Sequence, residues 1–218
     1  MEASATQSFS EQCRKIMDQH LQEFLDNRFI KALESGKVDS QALLTYVQQD
    51  HRYLDRYLPL YEKLYMAVTG EKVATEPDQD VKEYEAHQIL LDHAHTNEDD
   101  LVSSDYANSA VTNAYLEHME KATQEDDFVG LLSIFSCPFD YTYLANHMIR
   151  EGLIKEDNPF FPWFNYYSDF NHGFTKDVTS LVDQAAKKAS PEQKAKGLAA
   201  FEKSTEYEVA FFAQALED

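Results

Sequence analysis

Ser40-Gln-Ala-Leu-Leu-Thr-Tyr-Val-Gln-Gln-Asp-His-Arg-Tyr-Leu-Asp-Arg-Tyr-Leu-Pro-Leu-Tyr-Glu-Lys-Leu-Tyr-Met-Ala-Val68 is the stretch that decides the fold. Its apolar and aromatic residues fall at Leu43, Tyr46 and Val47, at Tyr53, Leu54 and Tyr57, and at Tyr61 and Leu64. Steps of three and four place them on one stripe of a long helix. Asp39 or Ser40 is the expected cap and Gly70 the expected stop. Asp50 lies in the middle of that stripe, where a carboxylate is costly unless it has partners. A buried tyrosine or another helix's backbone could satisfy it; a ligand could too.

The periodicity stays helical on both sides of this segment. A first helix is expected over about 8–26, continuing past Asn27 to about Ser35, where Gly36 stops it. A polar loop over 71–80, containing Pro77, leads to a helix from about Asp78 to His95 and an acidic loop at 97–100. Ser104 or Asp105 is the expected start of a helix to about Thr123, followed by an acidic connector at 124–127. A helix over about 127–151 is expected to be interrupted at Pro138, because proline lacks an amide donor. Asn158–Pro162 opens a helical region running to about Lys188, with a break near Asn171–Gly173. Ser190-Pro191-Glu192-Gln193 supplies a cap, a first-turn proline and an acidic first turn for a last helix reaching about Leu216. No strand-like alternation competes. The reading is an all-α chain, residues 1–218 forming one helical bundle of roughly seven or eight helices.

Composition bounds the function. Hydrophobic residues make up 43% and aromatics 13%, with 13 Tyr and 14 Phe, which describes a folded, ring-rich core. Nineteen basic against 39 acidic residues give a net charge of -20, a surface that repels phosphate backbones and anionic membranes. Nucleic-acid and membrane partners are therefore not expected. The start shows no basic segment followed by an apolar one, and no run of about 18 apolar residues occurs, so a soluble cytoplasmic chain is expected. The two cysteines, Cys13 and Cys137, have neither metal-ligand nor disulfide-framework spacing.

Several polar side chains fall on core-facing lines. Pro138 at a first helical position would put Cys137 at the cap of a new helical run, where unsatisfied amides and the helix dipole favour thiolate; the competing reading is an inert buried cysteine. The last helix carries Leu198, Phe201, Thr205, Glu208, Phe211 or Phe212, and Ala215 on its inner line. Glu208 is thus a second carboxylate facing the core, and burial would raise its pKa towards general acid or base use. Tyr115, Tyr141, Tyr166 and Tyr167, close to Trp163, cluster with Asp50, Glu208 and Cys137 into a pocket suited to a flat, hydrogen-bonding ring. A metal alternative rests on Glu85, His87, Asp92, His93 and His95, with Asp92 and His95 at one-face spacing; elsewhere the Glu-x-x-His motif is absent, and His172 and Asp177 are five apart with no histidine after them. Those residues also read as a solvated acidic face.

Six segments, in order, resemble the TenA/thiaminase II family. Arg28-Phe-Ile-Lys-Ala-Leu-Glu-Ser-Gly36 resembles its "PF…L..G" segment, with Arg28 in place of proline. Tyr46-Val-Gln-Gln-Asp-His-Arg-Tyr-Leu54 is similar to "Y..QD..YL", and Thr112-Asn-Ala-Tyr-Leu-Glu-His118 to "AYT.HL". Ser136-Cys-Pro-Phe-Asp-Tyr141 resembles "PC…Y", although the proline follows the cysteine. Trp163-Phe-Asn-Tyr-Tyr167 resembles "WI..Y", and Tyr207-Glu-Val-Ala-Phe-Phe212 resembles "E..FW" with Phe for Trp.

The resemblance implies a haem-oxygenase-like helical fold, a homotetramer and cofactor-free hydrolysis of an aminopyrimidine in thiamin salvage. It implies Cys137 as nucleophile and Glu208 as acid/base. Asp50 would bind the pyrimidine nitrogens, and Tyr53, Tyr115, Tyr141 and Tyr167 would line the ring. Asp140, close to Cys137, would oppose a thiolate. The rival readings are a di-iron oxidase or oxygenase on the same fold and a non-catalytic pyrimidine-binding protein.

Overall fold

The computed structural model describes residues 8–73, 78–97, 99, 101, 106–171 and 173–216, with the side chains of 78–83 outside that description. Among the described residues the chain forms α1 (Ser10–Asp26), α2 (Arg28–Glu34), α3 (Ser40–Thr69), α4 (Asp78–His93), α5 (Ala110–Glu125), α6 (Asp127–Arg150), α7 (Phe161–Tyr167), α8 (Gly173–Ala186) and α9 (Pro191–Ala213). A 3-10 turn, Gln214–Leu216, ends it, and no strand occurs among these residues. The all-α expectation holds.

The expected stripe of α3 is buried at Leu43, Tyr46, Val47, Asp50, Tyr53, Tyr57, Tyr61 and Leu64. Asp39 caps the helix by accepting from the Gln41 amide at 2.8 Å, and Gly70 closes it with φ 77°, a left-handed geometry that glycine adopts without strain. The box at Ser190 also forms: its Oγ accepts from the Gln193 amide at 3.1 Å while Gln193 Oε1 accepts from the Ser190 amide at 2.9 Å. Gln193 Nε2 then donates to Asp126 Oδ2 at 2.8 Å, and Asp126 caps α6, so two helix starts are joined.

Three boundaries differ from expectation. The first helix does not run through Asn27, which takes extended backbone (ψ 130°), accepts from the Phe29 amide at 3.0 Å and begins a separate α2. Its Nδ2 also donates to the Val209 carbonyl at 2.9 Å, tying the break to α9. Ser104, Asp105 and Pro77, like positions 98 and 100 of the acidic loop, lie outside the described residues. The helix expected to start at Ser104 or Asp105 begins instead at Ala110 behind Ser109, whose Oγ accepts from the Thr112 amide at 3.0 Å.

The third difference matters most for the site: α6 runs unbroken through Pro138. A helical proline leaves the carbonyl four residues earlier without its amide donor, here Ile134. Tyr57 on α3 donates its hydroxyl to Ile134 O at 3.2 Å, and Thr175 on α8 donates to the Pro138 carbonyl at 3.1 Å. The orphaned Ile134 carbonyl is met by a side chain from α3, and Thr175 ties the proline turn to α8, so the helix continues. Cys137 therefore sits in a helix interior and not at a cap.

Helix α6 is the centre of the fold, packing against α1, α3, α5, α7, α8 and α9. It is long and apolar enough to cross a membrane by length and composition, yet 89% of its apolar window is buried inside the molecule. Gly130 lets it approach α5 closely, since a Cβ there would lie 2.7 Å from Thr123 Cα. One continuous apolar core runs from Phe9 to Ala215.

Candidate active site

The α3 carboxylate is buried: Asp50 is 6% exposed. Its partner is His87 of α4, whose Nε2 lies 2.8 Å from Asp50 Oδ2 and which is itself 2% exposed. A hydrogen bond to an ionised carboxylate is stronger than a neutral one and fixes its direction. His87 had been grouped with exposed acidic and histidine neighbours, and the structure separates it from them. Glu85, Asp92, His93 and His95 are exposed, whereas Ala86, His87, Leu90 and Leu91 are buried on the inner face. The signal was present in the spacing: His87 stands three and four residues before Leu90 and Leu91.

Asp50 lies on the wall of a cavity of about 370 Å3 between α3, α6, α7 and α8. Cys137, Tyr141 and Tyr167 line it with Asp50, while Tyr57 and Phe174 add aromatic wall. The volume is in the range of small-molecule sites. Tyr141 and Tyr167 meet at 5.1 Å and 62°, each also against Trp163. Tyr141 Oη is 2.7 Å from Tyr46 Oη, so the ring is held by packing and by a hydrogen bond. Two exposed carboxylates, Asp169 and Asp177, stand among the lining residues. Cys137, half-buried, is thus open to the cavity, while Cys13 is wholly buried and its thiol is pushed far up by burial and then by Asp140.

Behind this wall lies a second, fully buried layer. Glu208 of α9 is 2% exposed, and burial first, then Asp50, pushes its carboxyl up to about 8, against the lowering effect of a hydrogen bond from Tyr115. Tyr115 Oη donates to Glu208 Oε1 at 2.6 Å and lies 2.8 Å from Ser136 Oγ, the residue before Cys137. Asp140 is also wholly buried, and neither oxygen has a hydrogen-bond partner. Burial and then Glu208 hold it well above the usual carboxylate range; Thr205 lies near enough to lower it slightly, though outside hydrogen-bond geometry. Burial of this kind favours the protonated form of the carboxyl. The expected opposition of Asp140 to a thiolate is weakened, because burial disfavours the charged form of that carboxyl.

The structure brings the sequence-derived residues into one region but in two layers. Asp50, Cys137, Tyr141 and Tyr167 face the cavity. Glu208 and Tyr115 lie behind them, within electrostatic reach of Asp50, Tyr141 and Cys137. Tyr53 belongs to the buried layer too: it is 2% exposed and directs its hydroxyl to Met119 Sδ at 3.6 Å, with its ring 5.1 Å from that of Tyr115. The helix-cap route to a thiolate does not operate, since α6 is continuous at Cys137. Among the described residues no three His, Cys, Asp or Glu side chains converge to hold a metal ion; His172 lies outside that description.

A family model described as TENA/THI-4/PQQC family matches residues 14–218. The chain is 24% identical over 211 residues to an aminopyrimidine aminohydrolase from Staphylococcus saprophyticus subsp. saprophyticus, covering 94% of this chain and 92% of that one. It is 24% identical over 199 residues to a thiamine biosynthesis multifunctional protein from Corynebacterium efficiens, covering 89% of this chain and 26% of the longer one. A solved structure, a TenA family transcription regulator from Silicibacter sp. TM1040, superposes with TM-score 0.75 at 20% identity, covering 100% of both chains. That likeness shows the fold, the helical haem-oxygenase-like arrangement.

Proposed function

The chain belongs to the TENA/THI-4/PQQC family, and from that premise we propose that it hydrolyses an aminopyrimidine, thiamin or aminomethylpyrimidine, to hydroxymethylpyrimidine in thiamin salvage. The observation that carries the reading is the opening of the Cys137 thiol to a 370 Å3 aromatic cavity whose wall also holds Asp50. Glu208, its carboxyl at about 8, lies directly behind. A base or acid that titrates near the working pH is suited to moving protons both ways.

In this reading Asp50, aimed by His87, accepts from the amino group or protonated nitrogen of the pyrimidine, and Tyr141 and Tyr167 confine the ring. Cys137 sulfur forms a bond to a ring carbon, and its proton is taken up within the site. Electrons returned from the ring expel the amine or thiazole from the exocyclic methylene as that carbon–nitrogen bond breaks. Water adds to the methylene, giving up one proton, and the carbon–sulfur bond then breaks to restore the aromatic ring and the thiol. The sum is aminomethylpyrimidine plus water giving alcohol plus ammonia or, from the thiazolium cation of thiamin, alcohol plus neutral thiazole and one released proton. Glu208 holds the proton between these steps, and Tyr115 keeps its carboxyl oriented. Tyr53 supports Tyr115 from behind. Residues 1–218 act as one domain in a cytoplasmic homotetramer.

Turnover of thiamin and of aminomethylpyrimidine, measured side by side with wild type and Cys137→Ser, tests the proposal. Loss of hydroxymethylpyrimidine release in the variant, with pyrimidine binding retained, is expected. Wild-type turnover by Cys137→Ser would reject the nucleophile, and no turnover of either compound by the wild type would reject the enzyme.

A further inference from the structure

Ser136 is wholly buried beside the proposed nucleophile, and the mechanism above gives it no task. Its hydroxyl has two neighbours: Tyr115 Oη at 2.8 Å and, less closely, the Ser133 carbonyl at 3.4 Å. Tyr115 Oη in turn lies 2.6 Å from Glu208 Oε1. Tyr115 has one proton. When Glu208 is ionised it can only accept, so that proton goes to the carboxylate. The Tyr115 oxygen is then left as an acceptor, and the nearest donor is Ser136. The Ser133 carbonyl already accepts from Ser204 Oγ at 2.7 Å, and the bond to Tyr115 is much the shorter of the two open to Ser136. The three groups form an ordered chain, Ser136 to Tyr115 to Glu208.

We propose that Ser136 is a positioning residue for the hydrolysis, donating to Tyr115 so that Tyr115 donates more strongly to the Glu208 carboxylate. The proposal rests on the reading of Glu208 as the acid/base. Successive hydrogen bonds of one polarity strengthen each other, most in a dry interior. Among the described residues, the ionisable groups facing Glu208 are Asp50 and Tyr53 from α3, Tyr115 from α5, and Asp140 and Tyr141 from α6. None of them is a cation. Burial and Asp50 both disfavour the carboxylate, and the donor chain is what opposes them. Ser136 thereby sets the pH at which Glu208 changes state, without touching substrate.

The test is a pH titration of the Glu208 carboxyl by infrared difference spectroscopy, the band being the one that Glu208→Gln removes, together with the pH profile of kcat/KM for thiamin. Ser136→Ala should move both upward by about half to one pH unit, the equivalent of one lost neutral hydrogen bond. Tyr115→Phe should move the carboxyl titration upward as well, and Ser136→Ala should add nothing in that background. An unmoved titration in Ser136→Ala overturns the proposal, as does an equal shift in the presence and absence of Tyr115. A titration that moves as expected while Glu208→Gln keeps full turnover leaves the chain in place and overturns the acid/base reading of Glu208.

Discussion

Replacing Glu208 with glutamine should make the protein more stable above neutral pH and nearly inactive. The carboxyl is raised from 4.5 to about 8 in the fold. Between those values the folded state keeps a proton that the unfolded chain has lost, so stability falls as pH rises. It is greatest below 4.5, declines by about 1.4 kcal/mol per pH unit, and levels off above about 8. The full change is about 5 kcal/mol, a large fraction of the stability of a typical domain. Glutamine has nearly the same shape and no titration. The gap between variant and wild type should therefore widen in the variant's favour by about 4 kcal/mol from pH 5 to pH 8. Urea unfolding of both proteins at several pH values across that range measures it. The same variant should turn over thiamin about two to four orders of magnitude more slowly. Parallel stability curves for the two proteins would refute the argument, because they would mean that Glu208 titrates alike in the folded and unfolded chain.

Tyr57→Phe should cost about 1–3 kcal/mol by leaving the Ile134 carbonyl without its donor, whereas in a Pro138→Ala background, where residue 138 regains an amide, the cost should shrink to under about 1 kcal/mol. Equal costs in both backgrounds, measured by denaturant unfolding, would show that Tyr57 does not serve the proline site. Loss of the imidazole in His87→Phe should raise KM about tenfold or more with a smaller change in kcat, since Asp50 loses the partner that aims it; an unchanged KM counts against that role. Asp140→Asn should keep turnover and its pH profile within about twofold, because burial favours the neutral form of that carboxyl, which differs little from its amide. A rise in activity at neutral pH would show instead that Asp140 is charged in the native protein.

Helical periodicity, the Asp39 and Ser190 caps and the stop at Gly70 were legible because each depends on residues within a few positions of one another. Asp50 and Glu208 were legible for a related reason: a carboxylate on an apolar stripe is visible in one dimension. Composition and the ordered motifs also identified the all-α class and the family. What the sequence did not contain was the meeting of distant residues. Pro138 read as a break because its remedy comes from Tyr57, far away on α3, and a helix end was inferred where none exists. The environment of Cys137 changed with it, from a helix cap to a helix wall facing a cavity. His87 reads in sequence with its histidine and acidic neighbours because its pairing with Asp50 joins two helices, and Asp140 reads as a charge because the burial that favours its protonated form comes from other helices. Local pattern determined which elements form and which side chains are out of place. Packing decided which of those side chains reach the cavity, which stand behind it, and what charge each one carries, because solvation and partners are set by neighbours remote in the chain.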